Sequence, residues 1–162
     1  MKYRRLTESE LKELEQDFIR FLASNQVTAS DWLNLKDQDS EKVEGLIELF
    51  SDQVLDKVVS TAEYLEFKSM NDIKTFHCQA DKIVMMGLFV EGNAQIDFSK
   101  NQSTDQIMEM VQASGSAVKI YTAEKGYQAG DRNQEIFKML ENGCLISKDG
   151  ALYKTLAGLK GK

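Results

Sequence analysis

The spacing of apolar residues changes character near residue 70, and that change limits the folds open to the chain. From Val43 onward, Leu46, Ile47, Phe50, Val54, Val58 and Leu65 recur every three or four positions or multiples of that spacing. This period puts them on one stripe of a helix. Only Gly45 is a poor helix former in the stretch, so one long helix is expected from about Ser40 to Phe67. At 1.5 Å per residue it would be ~42 Å long. That length matches the ~40 Å diameter of a globule of this size, so the helix would cross the domain, break, or project towards a second copy. Past residue 70 the pattern becomes short and strand-like. "IKTFHC" and "KIVMMGLFV" flank a turn at Gln79–Asp81, and the second run is apolar on both faces, as a central strand should be.

The rest of the chain extends both halves. Thr7 and Glu10 form a capping box before Leu11, Leu14, Phe18, Phe21 and Leu22, and Asn25 can end that helix. Thr28 or Ser30 can cap a short second helix bearing Trp32, Leu33 and Leu35, and Asp39 or Ser40 caps the long one. After the hairpin, "AQIDF" alternates as a third strand. Thr104 can cap a short helix, "AVKIYT" reads as a strand, and Asp131 caps another helix that Gly143 closes. "CLISKDGALYKTL" reads as two strands around Asp149-Gly150. The order is three helices, then β-β-β-α-β-α-β-β. The expected class is α+β: N-terminal helices including one long helix, packed with a mixed or antiparallel sheet and two shorter helices. With 162 residues and no proline-rich linker, a single domain over 1–162 is expected, helical over about 1–68 and sheet-containing over about 72–157.

Charge narrows the function classes. Residues 1–70 carry 9 basic and 15 acidic side chains, whereas residues 71–162 carry 11 of each, so the excess of −6 lies in the first part. An acidic chain with no long basic run is a poor partner for phosphates, so nucleic-acid binding is not expected. The small basic patch "MKYRR" reads as a frayed, solvated end, as do Lys154, Lys160 and Lys162. The longest apolar run, "IVMMGLFV", is far short of the ~20 residues a membrane helix requires, and the first residues hold no signal sequence. Two cysteines 66 positions apart match no metal or redox spacing. A cytoplasmic protein with reduced thiols is expected.

The most conspicuous charge pattern lies on the long helix. Glu44, Glu48, Asp52 and Asp56 fall at every fourth position. Four residues turn a helix by about 400°, so the four carboxylates form a column beside the apolar stripe. Their mutual repulsion costs ~1 kcal/mol in all, while each large apolar side chain buried by the stripe contributes ~1.5–3 kcal/mol. The column can therefore stand without a function and simply face water. It could also face a basic partner. A metal centre fits less well, because carboxylate di-metal bundles draw on Glu-x-x-His motifs and the chain's one histidine, His77, lies on a strand. A magnesium-type oxygen site needs fewer protein ligands.

Other chemistry is sparse. His77 and Cys78 are neighbours on a strand, so their side chains point to opposite faces and do not form a nucleophile–base pair. The loop from Gly126 to Arg132 lacks the Lys-Ser/Thr ending of a phosphate-binding loop and reads as a connection leading to a cap. Asp81, Glu91, Asp97 and Asp131 flank regular elements, and nothing in their spacing forces them together. No catalytic set, metal site or cofactor is assigned.

"MKYRRLT", "LFSDQV", "EYLEFKS" and "FHCQADKIVMMGLFV" resemble a family of small uncharacterised bacterial proteins, a domain of unknown function. The likeness is strongest from Met1 to Val90. It implies a small soluble protein and carries over no functional residue. Two functions are therefore expected as alternatives. The first is a non-enzymatic cytoplasmic interaction or regulatory module, meeting a protein partner or a second copy through Glu44, Glu48, Asp52 and Asp56. The second is a small enzyme with a carboxylate or magnesium-dependent site, which requires Asp81, Asp97 and His77 to converge.

Overall fold

A computed structural model of the chain describes residues 1–91, 96–114 and 118–160. It is α+β, with two compact units, Met1–Ser60 and Thr61–Lys162.

The first unit is helical: α1 (Glu8–Glu13), α2 (Glu15–Ser24), α3 (Ala29–Gln38) and α4 (Ser40–Thr61). Thr7 and Glu10 make the expected capping box, and Thr28 makes a second one with Asp31. Asp39 accepts from the Lys42 amide at 3.1 Å and opens α4. The first helix breaks at Leu14, whose backbone (φ −100°, ψ 21°) leaves helical geometry, so four helices replace the expected three. The core joins Leu6, Phe21, Leu22, Val27 and Phe50, with Phe18 and Trp32 against it. Phe18 meets Trp32 edge-on at 5.2 Å and Phe50 at 4.9 Å, a range in which aromatic pairs attract beyond their buried area.

The second unit holds a five-stranded, wholly antiparallel sheet: β1 (Tyr64–Lys68), β2 (Asp72–Cys78), β3 (Lys82–Val90), β4 (Val118–Gly126) and β5 (Leu145–Ser147), in the order β4-β3-β2-β1-β5. Helices α5 (Thr104–Ser114), α6 (Arg132–Glu141) and α7 (Ala151–Lys160) accompany it, one more than expected. Ile73, Met86, Leu88 and Val90 share one face and pack with Ile107 of α5 and Leu152 and Leu156 of α7. Leu65, Cys78 and Ile83 are buried on the opposite face.

Three expectations are corrected. The long helix ends at Thr61, not Phe67, and its 22 residues span about 33 Å. Its supposed last turns are β1, because Tyr-Leu-Glu-Phe-Lys alternates and can join ladders on both sides, with β2 and with β5. The third strand expected at "AQIDF" is absent over Ile96–Phe98, where the buried Ile96 and Phe98 instead fill the core beneath α5 and α7; Ala94 and Gln95 lie outside the described residues. Asp149-Gly150 is not a hairpin turn. Asp149 accepts from the Ala151 amide at 3.1 Å and opens α7, while Gly150 (φ +65°) lies against the Tyr64 ring, where a Cβ would come within 2.6 Å of ring carbons.

Candidate functional site

Residues 2–6, read from sequence as a frayed end, are held on α4 by the acidic column. Asp52 grips two consecutive backbone amides: Lys2 N–H donates to Oδ2 at 2.7 Å and Tyr3 N–H to Oδ1 at 3.0 Å. Asp56 Oδ1 accepts from the Tyr3 hydroxyl at 2.7 Å and pairs with Lys2 Nζ at 3.0 Å. One turn beyond Glu48, Glu44 pairs with Arg5. Glu48 is exposed and has no hydrogen-bond or ion-pair partner among the described residues. Asp52 and Asp56 are half-buried, so the lower part of the column does not simply face water.

The segment is anchored further at both flanks. Leu6 is 3% exposed, and its amide donates to the hydroxyl of Ser51, at 3.0 Å. Ser51 is fully buried, and its own hydroxyl donates to the Ile47 carbonyl at 2.7 Å. Arg4 grips Glu10 through two nitrogens, at 2.8 and 3.1 Å. That guanidinium, with the Thr7 backbone amide, holds the Glu10 carboxyl down at about 2.

A second feature lies between α2 and α3. An open cleft of about 370 Å³ is walled by Phe18, Leu22, Val27 and Trp32, with Ile19 and Leu33 at its lip. Ile19 and Leu33 are 49% and 63% exposed. Glu15 and Lys36 also line it, and Lys36 Nζ lies 5.5 Å from the Trp32 ring centroid. Volume, apolar walls and a few polar groups match those of ordinary ligand clefts.

The trio on which the enzymatic alternative depends does not converge. Asp97 sits at the Met70 end of β2, where the Phe98 amide donates to Met70 O at 2.9 Å. Asp81 lies in the turn at the other end, where Gln79 N–H meets Lys82 O at 2.9 Å. The six residue steps of β2 between those ends span about 20 Å. His77 belongs to an aromatic cluster instead, 4.6 Å from Tyr64 and 5.4 Å from Tyr153 between ring centroids, with Nε2 3.5 Å from Glu63. Asp131 caps α6 and Glu91 pairs with Lys119. Among the described residues no group of three His, Cys, Asp or Glu side chains could hold a metal ion.

The Gly126–Arg132 stretch is pinned rather than open. Tyr127 is buried, and its hydroxyl donates to the Gln79 and Lys82 carbonyls at 2.6 and 3.2 Å. Burial pushes its phenol up to about 12. Arg132 donates to the carbonyls of Ala62, at 2.5 Å, Cys78, at 3.1 Å, and Gln79, at 3.3 Å. Its charge is thus spent on carbonyls at the end of β1 and β2. Burial also raises Cys78, to about 11, so its thiol is not a ready nucleophile.

Sequence reasoning found the column but missed its occupant and the cleft. The first signal was available, since Lys2, Arg4 and Arg5 complement the column in charge. The second was not, because helical spacing does not separate a lip residue such as Leu33 from a core residue such as Leu22. No helix among the described residues is long and apolar enough to cross a membrane. No curated protein and no solved structure matches the chain. A family model does, over residues 1–161, and the chain belongs to that family of unknown function, DUF6495.

Proposed function

We propose that the chain is a non-enzymatic interaction module of the cytoplasm, and that its helical unit binds an amphipathic, basic helix of a partner protein in the α2–α3 cleft. The observation that carries this reading is the cleft itself, with Ile19 and Leu33 exposed at its lip over aromatic walls. Covering the exposed half of each of those two side chains would contribute ~1–2 kcal/mol. A helix laid into an apolar groove is an established mode of peptide recognition. Charge selects the partner. Residues 1–60 carry 8 basic against 13 acidic side chains, a net −5. A second copy would bring the same charge to the contact, whereas a basic helix would relieve it. Both cysteines are free, as a reducing compartment leaves them.

Trp32 is the chain's one tryptophan and lines the cleft, so its emission reports occupancy. The experiment titrates the protein with an amphipathic leucine–lysine helical peptide and, separately, with the leucine–glutamate peptide of the same pattern. A saturable blue shift is expected with the first alone, and it is lost in Leu33→Glu. No shift with the lysine peptide, or an equal shift with both, overturns the reading. A mass in solution that rises with concentration, and falls back in Leu33→Glu without peptide, would assign the cleft to self-association instead.

A further inference from the structure

The sheet ends on β4, whose outer edge joins no other strand among the described residues. At both ends of β3 the even-numbered residues bond towards β2: Val90 N–H reaches Asn71 O, and Lys82 O accepts from Gln79 N–H, each at 2.9 Å. Hydrogen-bonding direction alternates along an antiparallel strand, so the odd-numbered residues of β3 bond to Lys119, Tyr121, Ala123 and Lys125 opposite them. Ile120, Thr122 and Glu124 therefore turn their backbone groups outwards. Lys160 Nζ donates to Ile120 O at 3.3 Å, while the backbone groups of Thr122 and Glu124 have no partner among the described residues. Nine residues make a long strand, and residues 122–126 are all exposed.

A side-chain pocket adjoins this open edge. Phe76, Met85 and Ala123 stand in one row across β2, β3 and β4. The small Ala123 leaves a dip of about 150 Å³ there, lined by Phe76, Ile83 and Met85, with Glu124 and Lys125 beside it. A strand added to β4 places the residue opposite Ala123 over that dip.

We propose that β4 is a docking edge for an extended partner segment with a large apolar residue opposite Ala123 and acidic residues opposite Lys119 and Lys125. Main-chain bonds along such an edge supply affinity, and a pocket for alternate side chains supplies selectivity. Lys119 and Lys125 are 66% and 62% exposed. Each touches one carboxylate of its own chain, Glu91 and Glu135, and an ammonium has three donors, so a second carboxylate can join. Charge also argues against a second copy in the site. The one two-fold pairing within the strand that lays a large apolar side chain over Ala123, that of Tyr121, sets Lys119 against Lys125 twice, and like charges directly opposite destabilise a ladder. The inference stands apart from the α2–α3 cleft and needs no occupant there.

The test follows the backbone amides of the isotope-labelled full chain by nuclear magnetic resonance. The probe is a capped, threonine-rich peptide with one leucine and with glutamates two positions before it and four after it, the antiparallel match to Lys125 and Lys119. At millimolar peptide the Ile120, Thr122 and Glu124 amides are expected to shift saturably. Moving the leucine by one position turns it to the other face of the strand and is expected to weaken binding about tenfold, the value of half-burying that side chain. Thr122→Pro removes an outward donor and no ladder bond, and is expected to cost about tenfold as well. Unmoved edge amides overturn the proposal. So does equal binding of the two peptides, or unchanged affinity in a Thr122→Pro chain with native circular dichroism. If that variant fails to fold, Ala123→Glu at an exposed position takes its place, and unchanged affinity there is equally fatal. A mass in solution that doubles without peptide and returns to monomer in either variant would overturn the partner in favour of a second copy.

Discussion

Replacing Gly87 with alanine tests how Tyr121 is seated on the sheet. Tyr121 of β4 faces Gly87 of β3 across the ladder, and its ring packs against that residue. A Cβ on Gly87 would stand within 2.6 Å of three Tyr121 ring carbons, closer than nonbonded carbon atoms can approach. Gly87 is buried between β2 and β4, so the half-buried ring has to leave. With it goes the hydrogen bond from its hydroxyl to Asp72 Oδ1, at 2.5 Å. A bond from a phenol to a carboxylate contributes about 1.5–3 kcal/mol when fully buried, and about 1 kcal/mol here, where water can replace the partner. Lost ring packing adds about 1 kcal/mol. Alanine stiffens the unfolded chain and returns about 0.4–1 kcal/mol. The net expectation is a loss of about 1–2 kcal/mol in urea unfolding followed by far-ultraviolet circular dichroism. The decisive measurement is the double-mutant cycle with Tyr121→Ala. In that background Gly87→Ala should be neutral or slightly stabilising. An equal cost in both backgrounds would refute the reasoning, because the damage would then lie in the β3 backbone and not in the displaced ring.

Ser51→Ala leaves the buried Leu6 amide without an acceptor and should destabilise the helical unit by about 1–3 kcal/mol, read from Trp32 fluorescence in urea. The Glu10 carboxyl titrates lower in the folded state than its ordinary 4.5, so its contribution is complete above pH 4.5 and is lost as the pH falls towards about 2. Stability of the helical unit should therefore decline across that window, and Glu10→Gln should flatten the decline. Cys78 is 2% exposed with its thiol raised to about 11, so iodoacetamide at mildly alkaline pH should modify it only after unfolding, as peptide mass spectrometry would show. Half-buried Cys144 should react first.

Much of the fold could be read from local signals. Thr7, Thr28, Asp39 and Asp131 cap the helices expected of them, because a cap is a contact between residues three apart and needs no knowledge of the tertiary structure. The cap expected at Thr104 falls one residue earlier, on Ser103, whose hydroxyl accepts from the Gln106 amide at 3.1 Å. The Gln79–Asp81 turn and the strands around it are legible for the same reason. What failed was decided at long range. Leu65 fits the helical stripe as well as any residue in it, yet it lies fully buried in β1 because β2 and β5 offer backbone partners on both sides. Asp149-Gly150 suits a hairpin turn and a helix start equally. The apolar positions Leu152 and Leu156 that follow are four apart, the spacing that fills the core from a helix. The column was legible as a charge pattern, whereas its binding of Lys2 and Tyr3 joins residues about fifty positions apart.

The strand order carries a consequence for how the sheet opens. Strands β1 to β4 each lie beside the one before, so they can form in succession from neighbouring parts of the chain. β5 alone returns over roughly eighty residues to reach β1, and it has three residue pairs with which to offset the entropy of closing that loop. Amide protons of Leu145–Ser147 should therefore exchange with solvent well before those of β2 and β3, through a local opening. Each such opening bares the outer edge of β1, and an extended strand from another molecule could then take the place that β5 leaves.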